Sequence, residues 1–309
     1  MLVAMRTRAA MLAAALLGLA AGGGTSGWQQ HSPLPEPRSE VAAAVRDGEI
    51  VVIGGFTADG GNSAHVDGYS VRDDRWRRLP DLPAPIDHAA AAGAEGRVYV
   101  AGGYGADRVP SRSVFVLAKG GWKRLPPLPD GRAAAAAAVA DGTLYVVGGR
   151  DERRVLARVA FALKLGSSDW KTIPGPSARE HLAAASSLGR VYAIGGRADG
   201  IDTNEKAVEV YDASARRWRR LASLPGARGG TGAAALGGHI VSVGGEQPAG
   251  TIRTVYSLDV RKGRWSRLAD LPTPRHGLGV VAANHRIWAV AGGPQPGLTV
   301  TGTVESLKP

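Results

Sequence analysis

The side chains able to do chemistry recur at a fixed interval along the chain, not in one local motif. Arg38, Arg132, Arg179, Arg228 and Arg275 hold one slot of a repeated pattern, which Ile86 fills once. Two residues further on come Glu40, His88, Ala134, His181, Gly230 and Gly277. A less regular set follows a repeated Gly-Gly: Arg108, Arg112, Arg150, Arg153, Arg154, Arg197, Asp199, Asp202, Asn204, Glu205, Glu246 and Gln247. A ring of guanidinium groups would capture a carboxylate, sulfate or phosphate through charge-assisted, often bidentate hydrogen bonds. Carboxyl and imidazole groups such as Glu40, Glu180, His88, His181 and Glu246 would suit general acid-base work. The expected ligand-binding set is Arg38, Glu40, His88, Arg108, Arg132, Arg150, Arg179, His181, Arg197, Arg228, Glu246 and Arg275.

A structural alternative stands beside this one. The five arginines in the repeated slot also suit a role binding backbone carbonyls between repeats, and that reading is preferred for them; for Arg150 and Arg197 the functional one is preferred. Glu40, His88 and His181 come from three repeats and have no local ligand spacing. They are read as hydrogen-bonded or solvated groups, and no metal or cofactor is expected.

The elements that would position these residues are short strands. Apolar runs end in Gly-Gly at Gly54, Gly102, Gly148, Gly195, Gly244 and Gly292, 46 to 49 residues apart. Trp28, Trp76, Trp122, Trp170, Trp218 and Trp265 keep nearly the same step. Two markers in phase over the chain indicate a repeat architecture. Each unit divides into four strands. An inner strand of small residues, such as Val41 to Val45 or Leu182 to Ser186, turns through a pair such as Asp47-Gly48 into the run before Gly-Gly. A third strand carries Tyr69, Phe115, Leu163, Tyr211 or Leu258 seven residues before the tryptophan, and the fourth carries the tryptophan itself. Ala133 to Ala138 favours helix by propensity, but its place in the repeat makes it an inner strand. Trp28 has no third strand before it and Val304 to Leu307 has no tryptophan after it, so the N-terminal strand should complete the last unit. Closure of this kind removes two exposed sheet edges.

Gly-Gly after an apolar strand, Tyr211-Asp212, Trp218 six residues beyond that aspartate, and Pro272-Thr273-Pro274-Arg275 resemble the Kelch repeat across residues 28 to 307. The resemblance implies an all-β, six-bladed propeller of four antiparallel strands per blade. Its loops after Gly-Gly and its inter-blade loops would open on one face around a central channel, the default binding site. Function is not implied so directly, because Kelch propellers include partner-binding platforms, sugar-processing enzymes and copper oxidases.

Composition narrows the rest. The 309 residues contain 44 Gly and 19 Pro but no Cys, which excludes disulfides, thiolate metal sites and a cysteine nucleophile. It also removes the tyrosine-cysteine radical cofactor of galactose oxidase-like enzymes. The formal net charge is +11, with the arginines scattered and no polybasic block or recognition module, so nucleic acid is not the expected partner. Met1 to Arg8 carries Arg6 and Arg8, Ala9 to Ala21 is apolar, and small residues follow. That is the layout of a cleaved signal peptide over 1-21, with a linker over 22-27 and the propeller over 28-309. Thirteen apolar residues are too few for the roughly twenty of a spanning helix.

The expectation is a monomeric, periplasmic or secreted binding module that recognises a protein partner or an acidic carbohydrate through the loop face. The alternative is a sugar mutarotase or epimerase similar to N-acetylneuraminate mutarotase.

Overall fold

Each repeat becomes one four-stranded antiparallel sheet, and six such sheets surround a central axis. The structure is a computed structural model describing residues 27–309; the expected signal peptide lies outside the described residues. Blade 1 runs from the axis outward through Ala42–Arg46, Glu49–Ile53, Val66–Ser70 and Arg75–Arg78. The inner strands of blades 2 to 6 are Ala90–Ala94, Ala136–Ala140, Ala183–Ser187, Gly232–Leu236 and Gly279–Ala283. Small side chains let these strands approach one another at the axis. The alanine-rich segment is accordingly a strand, where tertiary context overrides helix propensity. Among the described residues no helix is long and apolar enough to cross a membrane.

The ring closes as the tryptophan spacing predicts. Trp28–His31 pairs antiparallel with Val304–Leu307, Trp28 opposite Leu307 and His31 opposite Val304, and so forms the outer strand of blade 6. The six phased indoles share one task. Trp76, Trp122, Trp170, Trp218 and Trp265 donate Nε1–H to Ser32, Pro80, Pro126, Pro174 and Ala222 carbonyls of the preceding blade, at 2.8 to 2.9 Å. Trp28 does the same to Ala269 at 3.0 Å.

Two register details differ from the sequence expectation. Phe115 does not face Trp122; Leu117 does, because the Ala118 to Gly121 hairpin is tighter than the others. In blade 6 the left-handed pair is Ala291-Gly292, not Gly292-Gly293. The Gly292 N–H donates to Arg38 O at 2.8 Å, as Gly103 does to Arg132 O at 2.7 Å, so Gly292 holds the place of the second glycine.

Candidate functional site

The loop face is built from two rings of residues. The inner one is Glu40, His88, Ala134, His181, Gly230 and Gly277, all left-handed, with φ between 50° and 63°. Their backbones form a hydrogen-bonded circle. His88 N–H donates to Glu40 O, Ala134 to His88, His181 to Ala134, Gly230 to His181 and Gly277 to Gly230, at 2.9 to 3.1 Å. Val41 N–H completes it on Gly277 O at 3.2 Å. The outer ring pairs the residue before each left-handed position with the residue after each glycine turn, as in Asp87 with Tyr104, Glu180 with Arg197, and His276 with Gly293. Strand alternation expects only every second residue to face the axis. The left-handed kink breaks that alternation, and Asp87, Glu180 and His276 reach the mouth as well.

Three of the six inner positions carry ionisable side chains, and these meet. His88 Nε2 lies 3.0 Å from His181 Nε2 and 3.2 Å from Glu40 Oε2. Two are held from behind by hydrogen bonds, His88 Nδ1 at 2.5 Å from Asp87 Oδ1 and Glu40 Oε1 at 3.0 Å from His276 Nδ1, whereas His181 Nδ1 lies 3.3 Å from Glu180 Oε1 without a hydrogen bond. His276 Nε2 faces the carbonyls of Gln295 and Gly297, both at 3.0 Å, so acceptors surround its two ring nitrogens and favour the imidazolium. Ala134, Gly230 and Gly277 add only small groups to the ring, and a central pocket of about 90 Å³ lies among these six and their neighbours.

Charge is ordered around this cluster. Burial opposes ionisation of Glu40, but the His88, His276 and His181 imidazoles hold its carboxyl well below the usual range. For His88, burial is overcome by Glu40 and Asp87, which raise it; His181 is lowered by burial, with His88 and Arg197 adding to the effect. Burial likewise fails to lower His276, which Glu40 and Glu246 push up. Glu180 resists burial through His181 and Arg150 and falls to about 2.

The arginines of the expected set divide into two groups. Arg38, Arg132, Arg179, Arg228 and Arg275 are at most 1% exposed and lie inside their own blades, away from the mouth. Arg179 donates to Gly195 O at 2.6 Å and to Glu209 at 2.5 Å; Arg275 repeats this on Ala291 O at 2.8 Å and Glu305 at 2.5 Å. Arg38 pairs with Asp67 and donates to Gly54 O. Arg132 and Arg228 stack on Phe161 and Tyr256 at 4.4 and 5.0 Å, and burial draws Arg228 down to about 10. The remaining three are at the mouth, tied to acids: Arg108 to Asp87 at 2.5 Å, Arg150 to Glu180 at 2.5 Å, and Arg197 to Glu246 at 2.8 Å. Arg108 also covers the Tyr104 ring at 4.3 Å.

Sequence reasoning missed Asp87, His276 and Tyr104. The signal for the first two was their place immediately after the repeated arginine or isoleucine slot. A larger cavity, about 1020 Å³, lies elsewhere, on the opposite face between blades 1 and 2. Glu49 there is paired with both Arg46 and Arg77.

Residues 113–293 match the KLHDC2/KLHL20/DRC7 Kelch-repeats domain, and residues 37–83 match the Kelch motif. Among solved structures, YjhT superposes with a TM-score of 0.76 at 16% identity, over 88% of this chain and 95% of that chain. No curated protein matches the chain.

Proposed function

The chain belongs to the Kelch-repeat family, and from that premise we propose that it is an exported binding module whose loop face docks an acidic segment of a partner protein. One observation carries this reading. On blade 3, Arg153, Arg154 and Arg158 are exposed, and among the described residues no carboxylate lies within 4 Å of any of them. Beside them Val155 and Val159 are 54% and 38% exposed, and Val109 on the adjoining loop is 41% exposed. Unpaired arginines around exposed apolar side chains suit a partner whose carboxylates flank an apolar residue. Arg108 and Arg150 border the same area, half-occupied by their internal acids.

An acidic sugar is the other ligand class that guanidinium groups attract. The central pocket of about 90 Å³ falls below the roughly 300 Å³ of small-ligand sites, so a sugar would have to lie across the loops above it. Arrays of acidic peptides and of sialylated and sulfated glycans separate the two. We expect peptide binding that weakens about tenfold or more in an Arg153→Ala/Arg154→Ala/Arg158→Ala variant and falls with added salt. Unchanged peptide binding in that variant overturns the proposed face. Glycan binding with sialic acid mutarotation, followed by proton NMR, favours the enzyme instead. Export predicts a mature N-terminus close after residue 21, read by N-terminal sequencing of protein recovered outside the cytoplasm.

A further inference from the structure

We propose that Glu40, His88 and His181 form a binding site for a divalent first-row transition ion such as Zn²⁺ or Co²⁺, at the centre of the loop face. The three donor atoms lie within 4.8 Å of one another, from blades 1, 2 and 4. Ligands each about 2.1 Å from one ion are roughly 3.0 to 3.4 Å apart, for angles between a right angle and the tetrahedral value. His88 Nε2 stands 3.0 Å from His181 Nε2 and 3.2 Å from Glu40 Oε2, separations of that size. Two imidazoles with one carboxylate is a donor set for zinc or another ion of that row, whereas calcium and magnesium prefer all-oxygen surroundings.

What distinguishes the cluster from a chance meeting is its support. Metal-binding imidazoles almost always direct their second ring nitrogen at a carboxylate or carbonyl, which fixes the tautomer and aims the ligating nitrogen. His88 does so here toward the fully buried Asp87, while His181 Nδ1 lies 3.3 Å from the buried Glu180 without a hydrogen bond to it. The unused carboxylate oxygen of Glu40 is held by His276. Asp87 and Glu180 are fixed in turn by Arg108 and Arg150. The ring of backbone hydrogen bonds anchors all three ligands to one rigid circle. Ala134, Gly230 and Gly277 add no bulky side chain to the pocket, which has room for water or one ligand group on the ion. Two-histidine, one-carboxylate sites with free positions are the open kind, able to bind or polarise an incoming oxygen.

The test is titration of chelator-treated protein with Co²⁺, read by visible absorption and by calorimetry. We expect one ion per chain, a ligand-field spectrum, and a rise in melting temperature with added ion. His88→Ala and His181→Ala should each lower affinity by about 100-fold or more, and Glu40→Gln should shift the spectrum. Asp87→Asn, a positioning change, should cost about 10- to 100-fold and also alter the spectrum. His65→Ala, at an exposed histidine contacting Glu36 away from the cluster, should change nothing. Absence of stoichiometric binding by the wild-type protein, or affinity untouched by both histidine variants, overturns the site. If an alanine variant does not fold, His181→Gln read by the same spectrum decides.

Discussion

Arg179 is held in the interior by donating to three backbone carbonyls, of Ser177, Ala193 and Gly195, and to Glu209, which sits 30 residues further on. Arg38 with Asp67 and Arg275 with Glu305 repeat the arrangement. Blade 2 shows what replaces it: Ile86 stands in the arginine slot and Phe115 in the acid slot, and the two belong to one apolar cluster. Breaking a buried ion pair from one side costs about 3 to 5 kcal/mol, while exchanging both members for well-packed apolar groups is often nearly neutral. Arg179→Ile alone should therefore destabilise by about that amount in urea unfolding, and Arg179→Ile/Glu209→Phe should recover most of it. Losses that simply add would show that the pair is not a unit. Acid should expose the same contact. Despite burial, Arg179 holds the Glu209 carboxyl below its ordinary value. A depressed folded-state value means stability present above the unfolded value, near 4.3, and lost as pH falls through the folded one. The stability difference between wild type and Glu209→Gln should be full at neutral pH and shrink as pH drops below that range. The sequence displayed the recurring arginines, but both partners had to be read together to see them as ties within a blade. The co-substitution of Ile86 and Phe115 was the available sign.

At the scale of the blade, the Gly-Gly turn is a point of contact between neighbours. The second glycine donates its N–H to the backbone carbonyl of the next blade's arginine or Ile86, and the first packs against that same carbonyl. A Cβ at Gly102 would lie 2.1 Å from Arg132 O, at a φ of +70°. Gly142, in a hairpin turn at φ +66°, would meet nothing within 4 Å. Gly142→Ala should cost about 1 kcal/mol, the strain of a left-handed alanine. Gly102→Ala should cost more, roughly 2 to 4 kcal/mol, because the backbone must move as well. Equal losses would mean that the turn needs glycine for its φ alone. Strand order and the inner, small-residue strands were legible from spacing and turn pairs. The one-residue offset at Ala291-Gly292 was not, since an apolar run ending in two glycines looks the same in either register. The site suffered from the same limit: period-two reasoning cannot foresee a ring of left-handed residues, and so His276 and Asp87 were passed over while Glu40, His88 and His181 were found.

Over the whole molecule, the closure of the ring is the outer-strand pairing that no hairpin turn backs. In blades 1 to 5 the outer strand follows the third through a short hairpin turn, so its pairing is local. In blade 6 the outer strand comes from the other end of the chain, and noncovalent contacts tie it to that blade and the next, among them four residue pairs with Val304–Leu307, the Trp28 indole on Ala269 O, His31 against Ser306 Oγ, Ser32 N–H donating to Asp74, and Trp76 of blade 1 donating to Ser32 O. Trp288, 1% exposed and the largest fully buried side chain, packs against His31 at 4.4 Å and Tyr69 at 5.6 Å, filling the corner between blade 6 and blade 1. Trp28→Ala and Trp218→Ala each remove one indole hydrogen bond and a half-buried ring, changes alike in chemistry. They differ in what is left, because the blade 4 strand stays tethered by its turn whereas the N-terminal strand can detach and open the ring. Trp28→Ala should thus lower the melting temperature by several degrees more than Trp218→Ala, a gap of about 1 to 2 kcal/mol at roughly 2 to 4 °C per kcal/mol for a domain of this size. It should also expose residues 28 to 31 to protease while the Trp218→Ala protein stays resistant. Equal melting temperatures with equal protection would place the seam on the same footing as any other blade boundary, and the closure argument would fail.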